Sequence, residues 1–112
     1  MQYSCTAADI GYVTDVADNE RNRNALAAFL KGTDLLFIEA VFLDSDRAHA
    51  EHKAHLTARA AGAIARAAGI KAAVPFHFSP RYLGREAELR QEFDDAWLHA
   101  QSGAGSQRRA TC

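Results

Sequence analysis

Three apolar, β-favouring runs in this chain each end on a side chain that can ligate a metal or move a proton. Ile10-Gly11-Tyr12-Val13-Thr14 runs into Asp15, Leu35-Leu36-Phe37-Ile38 into Glu39, and Ala72-Ala73-Val74-Pro75-Phe76 into His77. In open α/β sheets, ligands bind outside the carboxyl ends of the strands, so neighbouring strands would carry these three residues to one edge. Spacing alone leaves that open, since aspartate also starts turns and a polar residue often follows a strand.

His49, His52 and His55 follow at intervals of three. On a helix such neighbours lie near one face, and a metal cluster is conceivable. For His49 and His52 the favoured reading is a solvated polar helix without shared chemistry. His55 stands just before an alanine-rich helix, where it can reach a site at the helix N-terminus, the end that favours anions. Arg81 lies four residues after His77, and a guanidinium can clamp a phosphate with two parallel hydrogen bonds. Without a site beside it, Arg81 is an ordinary loop arginine. His99 reads as a surface residue near a helix end, and Trp97 as core.

The elements that must position these residues alternate in period. After the first strand, Asp18 or Asn19 caps a helix that places Leu26, Phe29 and Leu30 on one face, and Lys31-Gly32 stops it. The second strand is an unbroken apolar run, which predicts burial on both faces. Residues 44–53 are polar and helix-compatible. Residues 57–68 predict a longer helix, with Leu56, Ala60, Ile64 and Ala68 four apart, Arg59 and Arg66 off that line, and Gly69 as its stop. Pro75 predicts an edge position or a bulge for the third strand. A last helix, residues 85–100, would bury Leu89, Phe93, Ala96, Trp97 and Ala100. Residues 101–112 are rich in Gly, Ser and Arg and predict a disordered tail after a single unit at residues 1–100. The order β-α-β-α-β-α predicts an α/β fold with a parallel sheet.

The chain has 112 residues and a formal net charge of −1, so it lacks the overall basic excess of a typical nucleic-acid-binding domain. Contact with nucleic acid would need a local patch or a partner. Cys5 and Cys112 have no metal-ligand spacing and read as free thiols. The start resembles no signal peptide and no apolar run approaches a bilayer span, so the expected setting is cytoplasmic, with no membrane partner.

Taken together, the motifs resemble the ribonuclease Z family of the metallo-β-lactamase superfamily over about residues 10–97. Gly11-Tyr12-Val13-Thr14-Asp15 resembles the strand that ends in a metal-bridging aspartate. Phe37-Ile38-Glu39-Ala40-Val41 resembles the family's HEAT segment, and His55-Leu56-Thr57-Ala58 its HST loop. His77-Phe78-Ser79-Pro80-Arg81-Tyr82 resembles HFSxRY, the most specific of the four. The chain departs at Ile38, Val41 and Leu56, where the family pattern has histidine, threonine and serine.

This resemblance implies metal-assisted hydrolysis of a phosphodiester or RNA substrate. Two ions, zinc, would be bridged by Asp15, with His77 ligating one of them. His55 would stabilise or protonate the leaving oxygen, Glu39 would orient His55, and Arg81 would hold a substrate phosphate. The implied fold is the C-terminal half of an αβ/βα sandwich, one sheet with its flanking helices. The family's HxHxDH motif and a further histidine, which supply most of the metal ligands, do not occur in these residues. The chain alone is therefore expected to be inactive. An uncovered sheet face is expected to drive formation of a homo-oligomer or pairing with a separate N-terminal half. The alternative is a non-catalytic α/β binding or oligomerisation module with a vestigial metal site. A flavodoxin-like domain has less support, because no phosphate-cradling glycine loop follows the first strand.

Overall fold

A computed structural model describes residues 9–99. Strand β1 (Ile10–Val13) leads through helix α1 (Glu20–Phe29) to β2 (Leu35–Glu39). A 3-10 turn at Asp44–Asp46 opens α2 (Arg47–Lys53), and α3 (Ala58–Ala68) precedes β3 (Ala72–Phe76). A second 3-10 turn, Pro80–Tyr82, precedes α4 (Glu86–Leu98). The strands form one sheet in the order β1-β2-β3, and both pairings are parallel. This is the expected α/β arrangement. It places all three strand C-termini at one edge. Pro75 sits in β3, an edge strand, where its missing N–H costs least.

Local chemistry explains the boundaries. The Asn19 side chain accepts the Asn22 N–H at 2.8 Å and starts α1. Thr57 does the same for α3, accepting the Ala60 N–H at 3.0 Å. Gly69 closes α3 in the left-handed region at φ 69°. Leu56, Ala60, Ile64 and Ala68 are all buried, whereas Arg59 and Arg66 are exposed. On the other side of α3, Gly62 meets α4 so closely that an added Cβ would lie 2.4 Å from the Phe93 carbonyl oxygen. Leu89 and Phe93 complete that contact in the core, and the Trp97 indole N–H donates to the Ile70 carbonyl at 3.3 Å.

Two expectations about the core need correction. Among the described residues, the β2 strand is covered on one face only. Leu36 and Ile38 are fully buried within the core that includes α3, while Leu35 and Phe37, on the opposite face, are partly exposed. That face continues into Ile10, Tyr12 and Val74, with the Tyr12 ring 5.1 Å from that of Phe76. Helices cover one side of the sheet among the described residues, so an all-apolar strand does not imply two covers. Phe29 is also not in the core: it is 84% exposed, because α1 packs through Leu26 and Leu30 and Phe29 falls off that stripe. Ala100, the segment at residues 101–112, Cys5 and Cys112 lie outside the described residues.

No helix among the described residues is long and apolar enough to cross a membrane.

Candidate functional site

The site is built at the carboxyl edge of the sheet, around a buried carboxylate. Glu39 ends β2 and is fully buried. After it, the chain stays extended through Ala40–Leu43, sandwiched between two loops. Val41 N–H donates to the Leu56 carbonyl at 3.1 Å, Ala58 N–H to Phe42 at 2.8 Å, and Ser79 N–H to Val41 at 2.9 Å. These bonds draw the His55 loop and the His77 loop onto the end of β2, where they cover Glu39.

Every oxygen of Glu39 has partners. Oε1 accepts the Asp15 N–H at 2.8 Å and the Thr14 hydroxyl at 3.3 Å, and Oε2 accepts the Leu56 N–H at 2.8 Å. Nδ1 of His55 lies 3.2 and 3.1 Å from the two oxygens. Since a carboxylate only accepts, His55 carries its proton on Nδ1 and presents Nε2 outward. His77 places Nδ1 3.8 Å from Oε1, within ionic reach but beyond a hydrogen bond, and its ring stands edge-on to His55 at 5.5 Å.

Asp15 and His77 adopt positive φ, 58° and 65°, two residues after the end of β1 and one after the end of β3. Neither is glycine, and each such residue costs roughly 1–3 kcal/mol. The fixed bonds around Glu39 hold this strain in place at the Asp15 end.

Asp15, Glu39 and His55 each offer one ligand atom, all within 4.8 Å of one another. That is compact enough for a cation, yet Glu39 could join only by giving up N–H donors it already satisfies. The donors left free are the exposed Asp15 carboxylate, the half-exposed His77 imidazole and Nε2 of His55. This carboxylate–imidazole set fits zinc chemistry, but it falls short of a full site if His55 is kept for proton transfer, since zinc usually takes at least three protein ligands.

Arg81 lies at the rim. Its Nη1 is 3.5 Å from Asp46, and its guanidinium sits 5.6 Å above the Phe42 ring, which in turn lies 6.4 Å from His55. His49 packs edge-on against the Phe42 ring at 5.1 Å and His52 is exposed, and neither joins the group of Asp15, Glu39 and His55. His99 is exposed at the end of α4.

The start of α3 is not an open anion site. Glu92 of α4 accepts the Arg59 N–H at 3.0 Å and the Asp44 N–H at 2.8 Å, while Thr57 takes Ala60. An internal carboxylate thus occupies the place an external anion would take. Burial raises the pKa of Glu92, partly offset by these two N–H donors.

Sequence reasoning gave no role to Thr14, Asp46, Tyr82 or Glu92. Tyr82, fully buried, donates its hydroxyl proton to Asp46 and accepts the Leu43 N–H at 3.0 Å. The Tyr82 bond pulls the Asp46 pKa down, with Arg81 adding to it. Burial, then the Asp46 bond, pushes the Tyr82 phenol up. The departures at Ile38, Val41 and Leu56 all lie in the hydrophobic core, which is why apolar residues serve there.

Residues 4–78 match the family described as "Beta-lactamase superfamily domain". Curated relatives include the ribonuclease Z of Streptomyces avermitilis, 45% identical over 64 residues, which is 57% of this chain and 21% of that protein. The ribonuclease Z of Phocaeicola vulgatus is 48% identical over 64 residues, covering 57% of the chain and 20% of the relative. That of Thermobifida fusca is 53% identical over 57 residues, covering 51% and 18%. The chain spans about a fifth of the length of these relatives. With two thirds of its residues inside the family match, the chain belongs to the β-lactamase superfamily, as a ribonuclease Z-like protein of metallo-β-lactamase fold.

Proposed function

We propose that this chain supplies part of the active site of a metal-dependent phosphodiesterase acting on RNA, with tRNA 3′-end processing as its specific task. In this reading residues 1–100 correspond to the C-terminal half of a metallo-β-lactamase-like domain in a cytoplasmic protein. The observation that carries it is the buried Glu39 holding His55 by Nδ1, beside Asp15 and His77 on strained turns. A carboxylate-held imidazole beside two further ligand-type side chains suits phosphodiester hydrolysis, and the curated relatives are named ribonuclease Z.

Asp15 and His77 would hold metal, zinc by donor type. When bound, zinc would polarise the phosphoryl group and lower the pKa of a water. Glu39 fixes the tautomer and direction of His55. Nε2 of His55 is then free to stabilise or protonate the leaving oxygen, a role worth roughly 10²–10⁴-fold in rate for a positioned acid–base group. Arg81 would bind a substrate phosphate at the rim. The chain alone is inactive in this account because it offers too few ligands, so a segment carrying HxHxDH must complete the centre. That shortage also motivates the second reading, a binding or oligomerising module that keeps only remnants of the site.

Complementation tests the proposal. The chain would be mixed with a separate polypeptide carrying the family's HxHxDH motif. Hydrolysis of precursor tRNA and of bis(p-nitrophenyl) phosphate would then be followed with zinc present. Activity is expected only in the mixture, and it should vanish with chelator or with Asp15→Ala or His77→Ala. A folded, associated mixture without activity would favour the non-catalytic module. Chelator-sensitive turnover by the chain alone would contradict the incomplete site.

A further inference from the structure

We propose that Asp46 is a positioning residue that aims Arg81 at a substrate phosphate, a proposal that rests on the phosphate-binding reading of Arg81 given above. Asp46 is itself fixed by the buried Tyr82, whose hydroxyl also accepts the Leu43 N–H. That pins the loop after β2 to the turn that carries Arg81. From this anchor Asp46 lies 3.5 Å from Nη1 of Arg81, while the Phe42 ring supports the guanidinium from below. One loose contact and one flat support orient the group but leave most of its donors unused, which a bidentate phosphate contact requires.

The neighbouring arginine provides the contrast. Arg85 stacks at 5.5 Å on the Tyr82 ring, yet its Nε and Nη2 are taken by Glu88 at 2.9 and 2.8 Å. Its fork is already filled by a carboxylate of its own chain. Of the two arginines flanking Tyr82, only Arg81 has a fork open to an anion. Phe42 connects it to the centre, since the same ring contacts His55.

The sign of the effect separates positioning from plain electrostatics. Removing a negative charge beside Arg81 should by itself tighten anion binding. Loss of aim should weaken it. Asp46→Asn keeps an acceptor for the Tyr82 hydroxyl, so the loop stays pinned while the ion pair is lost.

The full chain, in chelator and at low salt, would be titrated into a short fluorescein-labelled single-stranded RNA. We expect Arg81→Ala to lose binding by about tenfold or more, Asp46→Asn to weaken it several-fold, and Arg85→Ala to leave it unchanged. Tighter or unaltered binding by Asp46→Asn, alongside a loss in Arg81→Ala, overturns the positioning role but leaves Arg81 as a phosphate ligand. Equal binding by wild type and Arg81→Ala overturns both. Equal losses in Arg85→Ala and Arg81→Ala reduce the effect to net charge and also overturn it. The NMR order of the Arg81 Nε–H in the wild type gives a check that needs no variant to fold: it is expected to be restricted, and free averaging like that of a solvated arginine overturns the proposal.

Discussion

At the scale of single residues, Glu39 organises the site. Its carboxylate gathers two backbone N–H groups, a hydroxyl and an imidazole from two separate stretches of chain, Thr14–Asp15 and His55–Leu56. Glu39→Gln keeps the shape but must turn an NH2 toward either the Asp15 or the Leu56 N–H. A donor stranded in this way costs roughly 1–3 kcal/mol. Urea unfolding of Glu39→Gln should show a loss of that size, and the His55 imidazole ¹⁵N signals should lose their Nδ1–H preference. Unchanged stability and an unchanged tautomer would mean that Glu39 does not hold His55. Asp46 responds to pH in the opposite direction to Tyr82 and Glu92. The lowered Asp46 pKa contributes stability above the ordinary aspartate range, and this fades as pH falls through and below it. The raised Tyr82 pKa contributes below the ordinary phenol range and fades only as pH climbs beyond it. Their bond therefore holds the Arg81 turn through the whole neutral range. Glu92, with its raised pKa, instead favours the fold more on the acid side.

At the scale of elements, the site was legible because strand polarity is legible. Three β-favouring runs separated by helical patterns imply parallel strands, and parallel strands put Asp15, Glu39 and His77 at one edge without any knowledge of side-chain contacts. The helix periods likewise gave the buried line through Leu56, Ala60, Ile64 and Ala68. Tyr82, Asp46, Thr14 and Glu92 were not legible in the same way. Their partners lie 25 to 48 residues away in sequence, and no local period records such pairings. Phe29 misled because a three-residue spacing fits a stripe as well as four does, and only packing decides how wide the buried stripe is. Gly62 is an element-scale feature of the same hidden kind. In an ordinary helix Gly→Ala would gain about 1 kcal/mol from propensity. Here the new methyl would press on the Phe93 carbonyl and the Ala96 side chain. Gly62→Ala is therefore expected to destabilise by about 1–3 kcal/mol in urea unfolding, by forcing α3 and α4 apart. A stabilising effect would show that the two helices do not cross this closely.

At the scale of the whole molecule, the sheet has, among the described residues, a dry side and an open side. Ile10, Tyr12 and Val74 are exposed on the open side, and Leu35, Phe37 and Phe76 are only partly covered. Covering each large side chain fully is worth roughly 1.5–3 kcal/mol. The account therefore expects the chain to self-associate or to take up a complementary half through this face. In sedimentation velocity it should run larger than a monomer, and Tyr12→Glu should shift it toward monomer without loss of helix content. A monodisperse wild-type monomer over a wide concentration range would contradict that use of the face. The same layout places the edge proposed to hold metal next to the open face, so a partner that covers the sheet would be placed to bring further ligands to Asp15 and His77.

The most direct test of the central claim is a zinc titration by calorimetry on four proteins: the wild-type chain, Asp15→Ala, His77→Ala and His55→Ala. The account predicts weak zinc binding by the wild type, lost in Asp15→Ala and His77→Ala and kept in His55→Ala, because His55 is reserved for proton transfer by its bond to Glu39. Binding that survives His77→Ala but disappears in His55→Ala would put the metal on Asp15, Glu39 and His55 instead, and would contradict the division between ligands and the acid–base pair.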